Sequence, residues 1–260
     1  MSIRIPRAPA NSRKSPSPAR TRGRHPAFPP EALKFLASLA RNNRREWFQP
    51  RKQIFLDQLR APMLTLVAAL LDDMADYAPQ FLRPPEKCIM RIYRDTRFSS
   101  DKTPYKKNIA AWFACGGLEK TSGAGFYFHL TKDELVIAAG CYMPDRDQLH
   151  KIRLALLNQH TKFRKLLNAP TLKRNFTRFE GLELSRAPKG FPPDHPGMDL
   201  IRCRQWGVGA SLPASVATSP ALFKEISRRF RLAAPLIHFL NAPLLAPEPT
   251  TRQPKIFRLD

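Results

Sequence analysis

The sequence predicts a single α+β domain, in which an antiparallel sheet of four or more strands is flanked by N- and C-terminal helices. Helical periodicity dominates both ends of the chain. Between residues 88 and 142, aromatic and β-branched runs are joined by short polar or Gly-bearing links. Consecutive strands with short links favour antiparallel pairing. Helices packed around one such sheet make an α+β domain.

Composition divides the chain into a tail, a domain and a second tail. Residues 1–26 hold seven Lys and Arg, five Pro and no acid. Such a segment cannot bury enough apolar surface to offset the entropy of ordering it, so we expect a disordered basic tail. The domain is predicted over residues 27–241, and residues 242–260 are expected to be a C-terminal tail.

The N-terminal part of the domain is predicted to be helical. Apolar residues recur with helical spacing over 30–42 and again over 62–76. Between them, Asn43 and Glu46 have the spacing of a capping box, which predicts that Asn43 caps a second helix. Pro50 is expected to kink that helix.

The sheet and the C-terminal helices follow. Four strands are predicted, over 88–93, 109–114, 125–130 and 134–142. Asp145 begins the next helix, a short helix follows over 163–167, and 182–184 is a small extra strand. Ser219 begins the last helix, which Pro235 is expected to break.

Charge is the unusual feature of the composition. The net charge is +23, and about +16 remains without the seven cations of the first 26 residues. Long-range attraction to polyanions is therefore expected. A high pI by itself is weak evidence for specific nucleic-acid binding, because basic proteins bind DNA loosely at low salt.

The cysteines and the hydropathy point to the cytoplasm. Cys88, Cys115, Cys141 and Cys203 are far apart and form no CxxC pair, which is typical of reduced core cysteines. No apolar run has the length of a membrane span, and the amino terminus lacks the apolar core of a secretory signal. A cytoplasmic protein without membrane contact is expected.

The stretch 91–107 is the strongest candidate for a site. It combines six cations with two acids and three aromatic residues, the mixture that an anionic ligand requires. Its candidate ligand-binding residues are Arg91, Arg94, Asp95, Arg97, Asp101, Lys102, Tyr105 and Lys106. Two alternatives stay open: a salt-bridge network that pins the loop to the sheet, and an acid or metal role for Asp95 or Asp101. Two carboxylates among so many cations make a poor metal site, so no metal is expected.

A second group of polar residues lies downstream. Lys189-Gly190 precedes Asp194-His195, and a neutral His beside an Asp can act as a general base. The same pair can simply order a Pro-rich loop. Lys189 and His195 join the candidate binding residues, and His195 is predicted to lie near the central stretch. Nucleophile-elbow, Walker A and Rossmann motifs are absent, and no cofactor is expected.

Three motifs carry a family resemblance. They are NNRREWF at 42–48, RDTRFSSDKTPYK at 94–106, and RAPKGF at 186–191 followed by DHP at 194–196. Together they resemble domain-of-unknown-function family 2461, over about Phe28 to Leu240. The resemblance implies an outline for the domain and no particular chemistry.

The expected function is the binding of a phosphate-bearing or other anionic ligand, a nucleotide or nucleic acid, in a basic pocket lined with aromatic residues. One alternative is a hydrolase or phosphotransfer enzyme that uses Asp95, Asp101 or His195. The other is an interaction module in which the basic tail binds and the central motif is structural. The sequence leaves enzymatic activity and oligomeric state open.

Overall fold

A computed structural model describes residues 26–118 and 123–246. The predicted basic tail lies outside these residues except for Pro26, and so do residues 247–260. The helices are α1 Pro30–Arg41, α2 Arg45–Phe48, α3 Lys52–Phe55, α4 Ala61–Met74, α5 Pro85–Cys88, α6 Arg146–Leu167, α7 Pro170–Asn175, α8 Met198–Ile201 and α9 Leu222–Leu245. The strands are β1 Ile109–Phe113, β2 Ala124–Leu130, β3 Glu134–Cys141, β4 Arg178–Glu180 and β5 Trp206–Pro213.

The five strands form one antiparallel sheet in the order β1-β2-β3-β5-β4. This confirms the predicted α+β class with an antiparallel sheet of at least four strands. The strand predicted over 88–93 is wrong, because only Ile89 and Tyr93 form bridges there. The sheet instead gains β5, which the sequence analysis did not predict. The extra strand is Arg178–Glu180 rather than 182–184.

The core lies between the sheet and the helices, with α9 at its centre. Phe230 of α9 is fully buried, and its ring centroid lies 5.4 Å from that of Phe113 and 5.0 Å from that of Phe126. Pro235 does not break α9, which runs on to Leu245. Buried residues on both sides of Pro235 pack into the core, and such packing outweighs the cost of a helical proline, about 3 kcal/mol.

Near its end, α9 is tied to the sheet by one amide side chain. Asn241 is buried; its Nδ2 donates to the carbonyl oxygen of Ala124 at 2.9 Å, and its Oδ1 accepts from the Ala124 N–H at 2.7 Å. The side chain therefore satisfies both backbone groups of the first residue of β2. The helix passes the predicted domain boundary at residue 241.

The helical segments from Arg45 to Met74 follow one another without a break. A turn of 3₁₀ helix at Gln49–Arg51 accommodates Pro50. By length and composition this run could cross a membrane, since one 18-residue window within it has a mean hydropathy of 1.5, so the prediction that no run reaches that length is corrected. Within α4 the buried face, which includes Leu66, packs in the domain core. A core helix of a globular domain meets the same criteria.

Helix α6 begins as the sequence predicts. Asp145 accepts hydrogen bonds from the N–H groups of Asp147 and Gln148, and Gln148 completes the capping box. The short helix predicted over 163–167 is part of α6, which is kinked at Gln159.

The four cysteines are free and buried. Burial raises the pKa of the Cys141 and Cys203 thiols to about 12. They are therefore protonated at neutral pH and unsuited to nucleophilic chemistry.

Candidate functional site

The central motif folds as an irregular hairpin, here called the basic hairpin and comprising residues 89–111. Its two arms run antiparallel. The Arg94 N–H donates to the carbonyl oxygen of Pro104 at 3.0 Å, and the Lys106 N–H donates to that of Ile92 at 2.8 Å. The hairpin leads directly into the edge strand β1, which fixes one arm to the sheet.

Ion pairs organise the tip of the basic hairpin. Arg97 binds Asp95 through two hydrogen bonds, of 3.0 Å from Nε and 2.7 Å from Nη2. Arg94 pairs with Asp101 and also donates to the Ser99 hydroxyl at 3.3 Å. Both acids of the motif are thus neutralised within the tip, as the salt-bridge interpretation predicts.

These contacts lower the pKa of both carboxyls to about 2. For Asp95 the main cause is the Arg97 guanidinium. For Asp101 it is the backbone N–H and then the hydroxyl of Thr103, with Arg94 adding to them. Carboxyls with so low a pKa are ionised at neutral pH and are poor proton donors.

Carboxyl NMR titration of the full chain tests this network. Both carboxyls are expected to titrate near pH 2. Arg97→Ala should raise the Asp95 midpoint toward its ordinary value near ~4 and leave that of Asp101 unchanged. Because the folded pKa lies below the unfolded one, the stabilisation is present above about pH 4 and is lost as the pH falls to 2. Equal shifts of both midpoints would contradict separate pairs.

Asn43 joins the start of the helical segment to the basic hairpin. Its Nδ2 donates to the carbonyl oxygen of Tyr105 at 2.8 Å, and its Oδ1 accepts from the Tyr105 N–H at 3.0 Å. The predicted capping box is therefore wrong, because the Asn43 amide binds the backbone of Tyr105, 62 residues further along the chain, instead of capping α2. Arg44 takes the N-cap position of α2 and makes no side-chain capping bond.

Ring stacking reinforces this junction. The Tyr105 ring is buried and stacks on Phe48 of α2, with centroids 4.1 Å apart. Tyr93 packs on Tyr105 from the other side at 5.5 Å. Helix α2 and the basic hairpin are thereby fixed as the two walls of a cleft.

This cleft, here called the hairpin cleft, has a volume of about 640 Å³. Its lining residues are Asn43, Arg44, Arg45, Tyr93, Arg94, Thr96, Lys102, Thr103 and Pro104. The lining contains four cations and no carboxylate. Arg44 and Arg45 form no salt bridge or side-chain hydrogen bond within the described part of the chain. The ring of Tyr93 is 45% exposed.

Residues 31–239 match the model of a family described as "Conserved hypothetical protein (DUF2461)". The chain belongs to this family. No curated protein and no solved structure matches it. Two of the three motifs that carry the resemblance in this DUF2461 chain, at 42–48 and 94–106, meet at the hairpin cleft.

Six of the ten predicted site residues of the DUF2461 domain lie in or around the hairpin cleft and the hairpin tip. Arg94 and Lys102 line the hairpin cleft, and Lys102 donates to the carbonyl oxygen of Thr96 at 3.0 Å. Asp95, Arg97 and Asp101 lie in the tip and pair as described above. Tyr105 lies beneath the cleft as a packing residue.

Arg91 and Lys106 lie near each other on the basic hairpin and outside the cleft lining. Burial and, to a smaller extent, Arg91 lower the pKa of Lys106. These two cations were assigned to the site from the sequence. Arg44 and Arg45 were candidates for it from their position in the motif at 42–48, but they were not assigned, because capping alone explained the neighbouring Asn43.

The structure does not bring Lys189 and His195 to the hairpin cleft. His195 packs its ring against His160 of α6, with centroids 4.9 Å apart, and its Nδ1 accepts from the Gly197 N–H at 3.1 Å. The prediction that His195 lies near the central motif is therefore wrong. The Asp194-His195 turn leads through α8 into β5, and in the sheet β2 and β3 lie between β5 and β1. Lys189 lines a different cleft.

Proposed function

We propose that the hairpin cleft binds a phosphate-bearing ligand, a nucleotide or a segment of nucleic acid. The observation that carries this proposal is the lining: Arg44, Arg45, Arg94 and Lys102 face one cleft that no carboxylate lines. Like charges gathered in this way repel one another when the cleft is empty. A phosphate relieves that repulsion and accepts charge-assisted hydrogen bonds from guanidinium groups.

The cations of the cleft differ in how they are held. Arg94 is half-buried and paired with Asp101, which fixes its position in the cleft lining and offsets part of its charge. Arg44 and Arg45 are exposed and form no salt bridge within residues 26–118 and 123–246, which leaves their guanidinium groups available to a ligand. Arg94 is therefore suited to positioning a bound ligand, and Arg44 and Arg45 are suited to capturing one.

The cleft is largely organised before a ligand arrives. The Asn43 amide and the Tyr105–Phe48 stack hold its walls together. Binding therefore carries a small entropic cost of ordering the backbone. The exposed ring of Tyr93 offers a stacking surface for a base, worth ~1–3 kcal/mol for each stacked base.

The tip favours a second candidate, in which the motif is purely structural. The Asp95–Arg97 and Arg94–Asp101 pairs are the network that such a motif requires. The two candidates differ in their use of Arg44 and Arg45. Neither residue contributes to the tip network, so a structural motif does not need their charges.

The test is the double variant Arg44→Gln/Arg45→Gln. Fluorescence anisotropy with a labelled single-stranded oligonucleotide should show an affinity roughly 10- to 100-fold lower than wild type, because two charge-assisted contacts are removed. The dependence of log K on log salt should become shallower by about 1–2, since fewer counterions are released.

The matched control is Arg41→Gln/Lys52→Gln, which removes the same charge from exposed positions on α1 and α3 outside the cleft. The control should weaken binding only slightly, through the overall charge. Equal effects of the two double variants would contradict a site in the hairpin cleft and favour the structural motif.

A further inference from the structure

A second basic cleft lies beside the first half of α6. It has a volume of about 460 Å³ and is here called the α6 cleft. Its lining residues are Arg146, Asp147, Leu149, His150, Arg153, Pro188, Lys189 and Phe191. It shares no residue with the hairpin cleft, and it contains the Lys189 that the sequence analysis assigned to the central site.

Arg153 lines the α6 cleft as a buried cation that has no ionic partner in the part of the chain that the structure describes. Arg153 is only 8% exposed. Its Nε donates to the carbonyl oxygen of Ile201 at 2.8 Å, and its Nη2 donates to that of Cys203 at 3.1 Å. Among the described residues no carboxylate forms a salt bridge with it. A buried cation held only by carbonyl dipoles is costly unless an anion pairs with it.

The rim of the cleft adds further basic groups. Arg146 and Lys189 are exposed, and neither forms a salt bridge within residues 26–118 and 123–246. His150 stands beside them, with its ring centroid 6.0 Å from that of Phe191. Asp147 is the one acid in the lining. Three cations therefore face a single carboxylate.

Phe191 and Gly190 fix the loop that brings Lys189 to the α6 cleft. Phe191 is 8% exposed and anchors the loop in the core. Gly190 has φ +87°, a conformation that L side chains rarely adopt, and no atom lies within 4 Å of the place where a Cβ would stand. Backbone conformation rather than crowding thus favours glycine at this turn. The RAPKGF motif contributes no residue to the hairpin cleft, but its Pro188, Lys189 and Phe191 line the α6 cleft.

The amino terminus of α6 is not itself the binding element. Asp145 already accepts from the N–H groups of Asp147 and Gln148, at 3.0 and 2.9 Å. An anion in the cleft is therefore held by side chains. Their planar guanidinium groups match the oxygens of a phosphate.

We propose that the α6 cleft is a second anion-binding site, specific for a small phosphate-bearing molecule. Arg153 supplies a fixed charge at its base, while Arg146 and Lys189 close on the ligand from the rim. The site is independent of the hairpin cleft, and the two can be occupied together.

Inorganic pyrophosphate is the probe, and isothermal titration calorimetry on the full chain is the measurement. The experiment starts from the Arg44→Gln/Arg45→Gln variant, in which the hairpin cleft is disabled. This variant should still bind pyrophosphate at one site. Adding Arg146→Gln/Lys189→Gln should weaken that binding at least tenfold. Arg153 is left unchanged, because it holds two backbone carbonyls and its loss would disturb the fold.

The matched control adds Lys173→Gln/Arg174→Gln, two exposed cations of α7, to the same background. This control should leave pyrophosphate binding within about twofold. The proposal is overturned if the Arg44→Gln/Arg45→Gln variant binds no pyrophosphate, or if the α6-cleft and control substitutions weaken binding equally. Binding of citrate as tight as that of pyrophosphate would overturn the specificity for phosphate. These outcomes do not depend on whether the hairpin cleft binds an oligonucleotide.

Discussion

Gly140→Ala is expected to lower the free energy of unfolding by about 3 kcal/mol, a typical upper value for overpacking in a well-packed core. A Cβ at this position would lie 2.3 Å from the carbonyl oxygen of Trp206 and 2.4 Å from the Cα of Gly207. Both are backbone atoms of β5, which is hydrogen-bonded to β3 on one side and β4 on the other. The strand cannot retreat without loss of ladder bonds. Urea unfolding measures the effect.

The control for this prediction is the residue directly opposite. Gly207 pairs with Gly140 in the β3–β5 register, but the nearest atom to a Cβ at Gly207 is the carbonyl oxygen of Ala139 at 3.7 Å. That distance is ordinary van der Waals contact. Gly207→Ala should therefore change the free energy of unfolding by less than about 1 kcal/mol. The change can be an increase, because alanine lowers the conformational entropy of the unfolded chain. Equal losses of stability in the two variants would show that contact of a Cβ with β5 is not the reason for glycine at position 140.

Asn43→Ala is expected to cost about 2–3 kcal/mol of stability and to weaken oligonucleotide binding as well. The substitution leaves the N–H and the carbonyl oxygen of the buried Tyr105 without partners. An unsatisfied buried group costs ~1–3 kcal/mol. The same loss leaves the Tyr105–Phe48 stack to join α2 to the basic hairpin, so that Arg44 and Arg45 are held less firmly in the cleft lining.

Asn42→Ala is the matched control, since it removes the neighbouring amide. The Asn42 side-chain Nδ2 donates to the carbonyl oxygen of Ser38 at 3.0 Å, within the end of its own helix. Its loss should cost about 1 kcal/mol or less and leave binding unchanged. Thermal unfolding and fluorescence anisotropy of both variants give the comparison. A stable Asn43→Ala variant with normal binding would show that the amide does not organise the cleft.

Elements with local signals were predictable from the sequence. Helix α1 begins at Pro30 as expected, and Asp145 begins α6 as predicted, with a capping box to Gln148 that the structure adds. Strand β5 was missed because its sequence, WGVGASLP, is rich in small residues and turn formers. It is a strand because β3 and β4 pair with both of its edges. Pro235 was misjudged for the same kind of reason: tertiary packing outweighs a local preference.

The charged residues of the candidate site were predictable from the sequence, but the residues that they meet in space were not. The sequence shows that 91–107 is basic, and Arg94 and Lys102 do line the hairpin cleft. It could not show that Asn43 reaches Tyr105 across 62 residues. Nor could it show that Lys189 belongs with Arg153 rather than with the central motif. Such pairings depend on the order of the strands in the sheet, which local patterns do not encode.

Two asparagines hold the domain together in the same way, one near each end. Asn43 satisfies both backbone groups of Tyr105, and Asn241 satisfies both backbone groups of Ala124. A primary amide carries a donor NH₂ and an acceptor oxygen side by side, which matches the C=O and the N–H of a single residue. Spontaneous deamidation of either residue would exchange the donor NH₂ for an anionic oxygen that faces a carbonyl. The junction of α9 with β2 and the walls of the hairpin cleft therefore each depend on the chemical integrity of one amide group.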